Sequence, residues 1–157
     1  VRQEALSVSA IRYLFYSDFI EENDGWPNKD FIKKRQHGRG IGERMANAFE
    51  EILLHHKKVI LVGSDLPQLS AAILQEAFEK LEGSDFVVGP AMDGGYYLIG
   101  MKTYEPAVFQ DIAWSTATVF AETVRRIEAL QKTYSLLPVL SDVDNEADWK
   151  KYGWEKN

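Results

Sequence analysis

The sequence predicts an α/β fold in three layers: a mostly parallel, mixed sheet with helices on both faces. Three observations lead there. Strand-like and helix-like patterns alternate along the chain in the order βαβαββαβα. The strand run VILVG from Val59 is too short for a helix and uniformly apolar, as a strand covered on both faces is, and DFVVG from Asp85 is another strand. The run YYLIGM from Tyr96 follows DFVVG so closely that one antiparallel strand is expected within the otherwise parallel sheet.

Each element has its own local reason. IRYLFYS from Ile11 is rich in β-forming residues and predicts a strand. EENDGWPNKD, with Gly25 and Pro27, is turn chemistry. From Ile41, the apolar residues Met45, Ala48, Phe49, Ile52 and Leu53 recur at spacings of three and four, which gives an amphipathic helix to about His55. His55, His56, Lys57 and Lys58 suit that helix's negative end. After VILVG, Ser70 caps a helix whose inner face is Ile73, Leu74, Ala77, Phe78 and Leu81. The strands DFVVG and YYLIGM are joined by a loop containing Asp93, Gly94 and Gly95. Ser115 or Thr116 opens a helix through about Leu130, SLLPVL supplies a last strand, and Asp144 or Asn145 begins a short acidic helix ending near Tyr152.

The chain of 157 residues is the size of a single domain, with no internal repeat or linker. A formal net charge of -6 makes polymeric nucleic acid a poor partner, because binding a phosphate chain needs a broad positive face. No apolar run is long enough to span a membrane. The chain has no cysteine, hence no disulfide or thiolate metal site, and no leader pattern opens it, so a cytoplasmic address is expected. One basic island stands out, KKRQHGRGIGER from Lys33 to Arg44, in which five of twelve residues are Lys or Arg and glycines stand at 38, 40 and 42. It reads as a solvated turn or as a place for a small anion.

In an α/β sheet, ligands sit beyond the carboxyl ends of the strands. Asp65 lies at one such end, the loop from Gly89 to Gly95 with Asp93 at another, and Asp142 and Asp144 follow the last strand. Carboxylates converging without a cation repel by about 4 kcal/mol per pair at 4 Å and an effective dielectric near 20. A divalent cation offsets this, and Mg2+ suits a site of one or two carboxylates, water and phosphate oxygens. Each residue also has a plain structural reading. Asp65 closes a turn before Leu66-Pro67, Asp144 caps a helix, Gly94-Gly95 makes a hairpin turn and Trp114 is packing.

Taken together, GSDLPQLS at 63–70, GPAMDGGYYLIGM at 89–101, FQDIAWST at 109–116 and SDVDNEADW at 141–149 resemble a bacterial family of proposed glycosyltransferases. That family lies in the nucleotide-diphospho-sugar transferase superfamily, with a GT-A-like fold, and is related to the molybdenum-cofactor and phospholactate guanylyltransferases. The resemblance implies a transferase that binds Mg2+ (or Mn2+) and a nucleotide sugar or nucleoside triphosphate. It implies metal ligation by Asp65, Asp142 and Asp144, and catalytic roles for Asp65 and Asp93. By the same resemblance, Gln36, Gly38, Gly40, Gly42, Arg44 and Ser64 contact the nucleotide. Gly94, Gly95, Tyr96, Trp114, Ser115 and Thr116 face the transferred group or its acceptor.

Two departures from the family pattern matter. Gly40 stands where the family has an aspartate, in Gly-Ile-Gly-Glu-Arg-Met for Asp-Leu-Gly-Glu-Arg-Met. The superfamily's first strand and its phosphate-cradling glycine, lysine and arginine loop have no counterpart in residues 1–10, and the complete protein is expected to possess them. Rival folds lack their fingerprints. GRGIGE has Glu43 where a dinucleotide-binding loop needs its third glycine, no P-loop occurs, and the three histidines, 37, 55 and 56, accompany no nucleophile elbow. Glycosyl transfer from a nucleotide sugar is the expected activity. Nucleotidyl transfer with pyrophosphate release and non-catalytic nucleotide binding are the alternatives.

Overall fold

The computed structural model describes residues 1–17, 19–63 and 66–141. In chain order the elements are helix α1 (Arg2–Leu6), strands β1 (Tyr13–Tyr16) and β2 (Ile32–Arg35), helix α2 (Ile41–Leu53), strand β3 (Val59–Val62) and helix α3 (Ala71–Gly83). Strands β4 (Phe86–Pro90) and β5 (Tyr96–Met101) follow, then a 3-10 turn (Pro106–Phe109), helix α4 (Val119–Ala129) and strand β6 (Tyr134–Leu136). Among the described residues no helix is long and apolar enough to cross a membrane.

The strands form two sheets. One is four-stranded, in the order β3-β5-β4-β6; the other pairs β1 with β2 in parallel. β5 runs antiparallel to both β3 and β4, while β4 and β6 are parallel. So β3, β4 and β6 share one direction and β5 alone opposes it, which is the antiparallel strand expected from the pair at 85 and 96.

Period-2 alternation sorts the side chains onto two faces. Phe86, Val88, Ile99 and Met101 pack with Phe49 of α2, Val108 and Phe109 of the 3-10 turn, and Ile127 of α4. Val87 and Leu98 turn the other way, onto Leu74, Ala77 and Leu81 of α3. Helices therefore cover both faces. One register shift interrupts the pattern: Gly89 pairs with Leu98 but Pro90 with Tyr96, which leaves Tyr97 as the extra residue of a bulge. Tyr97 and Leu98 consequently share the α3 face. Gly89 makes room for this, since a Cβ there would lie 2.4 Å from the Tyr97 ring.

Local chemistry sets the helix ends. The Ser70 hydroxyl accepts the Ile73 N–H at 3.2 Å, the N-cap expected from sequence. α2 starts at Gly40 with no side-chain cap, and its buried residues are Gly42, Ala48, Phe49 and Ile52.

Three expectations need correction. The helix after Trp114 begins at Val119, with Thr118 at its N-cap, and neither Ser115 nor Thr116 opens it. Ser115 has φ of 63°, and the Thr116 hydroxyl donates to the Ala113 carbonyl at 2.6 Å, so these residues close a turn of their own. Lys33–Arg35 of the basic island lie in β2 rather than in a loop. Lys33 is accommodated because its stem is buried and its ammonium reaches Asp24 at 2.9 Å. Helix α1 and the 3-10 turn carry no clear period and were not anticipated. VILV packs on both faces as expected, Ile60 and Val62 with the α3 cluster and Val59 and Leu61 with the α2 cluster, and it is only partly buried because it lies at the sheet edge. The short helix expected from Asp144 or Asn145 lies outside the described residues.

Candidate functional site

The shared direction of β3, β4 and β6 places their carboxyl ends on one rim, and β5, running the other way, starts there. Loops 91–95 and 140–141 therefore meet at this edge. Met92 N–H donates to the Leu140 carbonyl at 2.9 Å, and Ala91 bridges to Leu140. Ser141 N–H donates to Gln68 Oε1 at 2.8 Å, which ties the end of the chain's last strand region to the loop after β3. Tyr97 secures the intervening segment by donating to the Pro138 carbonyl at 2.8 Å, and burial pushes its phenol up to about 12.

The glycine pair is a tight joint. Asp93 Oδ1 accepts the Gly95 N–H at 2.9 Å, an Asx turn, and the Asp93 side chain is exposed. Gly94 has φ of 92°, and a Cβ on it would lie 2.1 Å from the Ala117 carbonyl oxygen. Its own carbonyl accepts the Phe120 N–H at 2.9 Å, at the first turn of α4. Only glycine permits this approach. Tyr96, next along, turns its ring toward α4: its hydroxyl is buried without a hydrogen bond, as is that of Thr123, and burial raises its pKa.

Loop 113–118 is braced by Glu122, whose carboxylate accepts Thr118 Oγ1 at 3.1 Å and Ala113 N–H at 3.3 Å. Ser115 and Thr116 are exposed on it. Trp114 reaches from this loop to the start of α2, where a Cβ on Gly42 would lie 2.9 Å from its indole nitrogen and 2.7 Å from the Phe109 carbonyl. The glycine segment before α2 wraps around Arg44, which donates to the Gly38 carbonyl and to Gln36 Oε1, both at 3.1 Å. Gly38 has φ of 136° and a Cβ there would press on the Arg44 backbone. Glu43 reaches back to the Arg39 N–H at 3.1 Å, and Gly40 faces open space.

A continuous series of contacts thus joins segments far apart in sequence: α2's start to Trp114, loop 113–118 to Gly94, loop 91–95 to Leu140, and Ser141 to Gln68. Ser64, Asp65, Asp142 and Asp144 lie outside the described residues. Among the described residues no three metal-ligating side chains cluster. Gln68, Glu122 and Tyr97 were not singled out from sequence. Gln68 stands within the DLPQ stretch, but no spacing rule marks a glutamine as the tie between two loops.

The crystal structure of a putative nucleotide-diphospho-sugar transferase from Desulfovibrio desulfuricans G20 superposes with a TM-score of 0.81 at 31% sequence identity, covering 91% of this chain and 65% of that one. The chain thus spans less than two thirds of that relative's length. Structures of Rv0371c from Mycobacterium tuberculosis H37Rv and of its homolog from Mycobacterium sp. strain JC1 match at a TM-score of 0.45 and 18% identity, over 78% of this chain and 63% and 61% of theirs, too distant to carry an argument. No curated protein matches the sequence. Residues 2–116, which include the α2 start, the 91–95 loop and Trp114, match the model of the family described as "uncharacterized protein conserved in bacteria (DUF2064)", and the chain belongs to that family.

Proposed function

We propose that the protein is a metal-dependent transferase acting on a nucleotide-activated sugar. The observation that carries this reading is the meeting of three rim loops through Ser141–Gln68 and Met92–Leu140, because the aspartates 65, 142 and 144 adjoin these ties in sequence. The solved relative named as a nucleotide-diphospho-sugar transferase supports the same class.

In this reading, Asp65 with Asp142 and Asp144 would hold Mg2+ or Mn2+; these hard oxygen donors suit either ion, and the ion supplies neutralisation of the diphosphate leaving group. Gln36 and Arg44 fix the glycine segment 38–42 through their own hydrogen bonds, so the segment presents a preformed backbone surface to the nucleotide, which Ser64 would also contact by the family resemblance. Gly94 and Gly95, with the backbone of Tyr96, form the rim segment that would face the transferred group. Trp114, Ser115 and Thr116 line the side where the acceptor enters, and Asp93 stands at its edge as the candidate base.

The test is product analysis with nucleotide sugars and nucleoside triphosphates, with and without Mg2+. Release of a nucleoside diphosphate, lost in Asp65→Asn while the fold persists, is the expected result. Pyrophosphate release would move the assignment to nucleotidyl transfer. Binding without turnover in either assay would leave only a nucleotide-binding role.

A further inference from the structure

The chain carries three methionines and no cysteine, so thioethers are its only sulfur. Their surroundings differ sharply. Met101 is fully buried in β5, and Met45 of α2 is half-buried and lines the cleft of about 810 Å³ between β1 and β3. Met92 is 70% exposed on loop 91–95, beside Asp93. A two-electron oxidant that meets the folded chain therefore finds one well-exposed thioether and no competing thiol.

That thioether is also bonded. Ser141 Oγ donates to Met92 Sδ, while the Met92 N–H donates to the Leu140 carbonyl and the Ser141 N–H to Gln68 Oε1. The sulfur thus adds a side-chain link to the backbone ties that join loop 91–95, loop 140–141 and the loop after β3. It does so one residue ahead of Asp142 and one residue behind Asp93. A flexible, unbranched side chain that reaches so far into water stays in one place only while something holds it, and here the Ser141 hydroxyl does.

We propose that Met92 is an oxidation site, and that its conversion to the sulfoxide by hydrogen peroxide loosens the junction of the rim loops. In this step the sulfur lone pair attacks one peroxide oxygen, the O–O bond breaks, an S–O bond forms, and the second oxygen leaves as water with both protons. The thioether loses two electrons and the peroxide gains them. The lone pair that accepted from Ser141 then carries an oxygen, a polar acceptor lying a bond length beyond the sulfur. The Ser141 hydroxyl must follow that oxygen or lose its partner, yet Gln68 holds the Ser141 backbone where it is. The sulfoxide is reducible, so the change reverses. The inference is independent of the transferase reading, because oxygen uptake and amide exchange need no activity.

The test treats the 157-residue chain with hydrogen peroxide and follows oxygen uptake by peptide mass and backbone opening by amide hydrogen exchange. Met92 is expected to gain one oxygen about tenfold faster than Met45 or Met101, an order set by exposure. The Met92 and Ser141 amides are expected to exchange about tenfold faster in the oxidised chain, with Ile99 of β5 unchanged, and methionine sulfoxide reductases should return them to the starting rates. Met92→Leu keeps an apolar side chain without the sulfur and should show no acceleration under the same treatment. Met45 or Met101 oxidising as fast as Met92, unchanged exchange after oxidation, or equal acceleration in peroxide-treated Met92→Leu would each overturn the proposal.

Discussion

β3 and β4 are near twins in sequence and opposites in environment. VILV and FVV are both uniformly apolar, yet Phe86, Val87 and Val88 of β4 are buried to within 1% while β3 is only partly covered along its length. The difference comes from neighbours. β4 lies between β5 and β6 with helices on both faces, and β3 has β5 on one side and the cleft on the other. An apolar pattern therefore reports the position a strand is suited to, and exposure along β3 follows from its place at the edge of the four-stranded sheet.

The largest expected effect tests that contrast directly. Ile99→Ala in β5 removes a fully buried side chain and should cost roughly 2–5 kcal/mol. Ile60→Ala on β3 should cost about half of that or less in this chain, because Ile60 already faces partial solvent. Urea unfolding measures both; equal losses would erase the distinction between the two strands. A smaller effect comes from the glycines. Gly89→Ala drives a Cβ into the Tyr97 ring, which is held at Pro138, and should cost about 1–3 kcal/mol. Gly100→Ala meets Ile60 Cγ2 at 2.7 Å and Val87 Cγ1 at 2.9 Å, and β3 can yield toward the cleft, so the loss should be less. The reverse order in thermal unfolding would mean that β3 is as confined as β4.

Much of this was legible in the sequence where one pattern decided the outcome. The periods of α2 and α3, the Ser70 cap and the lone antiparallel strand follow from local spacing. β2 was hidden because its charges mask a strand whose lysine stem is buried only through Asp24, a partner nine residues away. The α4 start was misplaced because Ser115 and Thr116 look like caps, but Ser115 is left-handed and Thr116 spends its hydroxyl on a turn. At the site, the glycines at 42 and 94 were visible as glycines, but the reason for them, Trp114 and Ala117 pressing on the backbone, is tertiary.

The smallest effect concerns how the two-stranded sheet is held, since a polar tether does there what packing does around β4. Asp24 accepts from the Tyr16 hydroxyl, from Lys33 Nζ at 2.9 Å and from the Trp26 N–H at 3.0 Å, and so fastens the 21–26 turn to β1 and β2. The Tyr16 hydrogen bond, followed by those from Lys33 and Trp26, holds the Asp24 carboxyl at about 2 against an ordinary 3.8. A carboxylate with a depressed pKa stabilises the fold fully above its unfolded value and loses that contribution as pH falls through the folded one. The tether should therefore hold above about pH 4 and weaken toward pH 2. Amide exchange at β1 and β2 should accelerate in that window ahead of β4 and β5, and Asp24→Asn should flatten that part of the profile. If acid instead loosened both sheets together, the small sheet would share the cooperativity of the large one, and the contrast would end at β3.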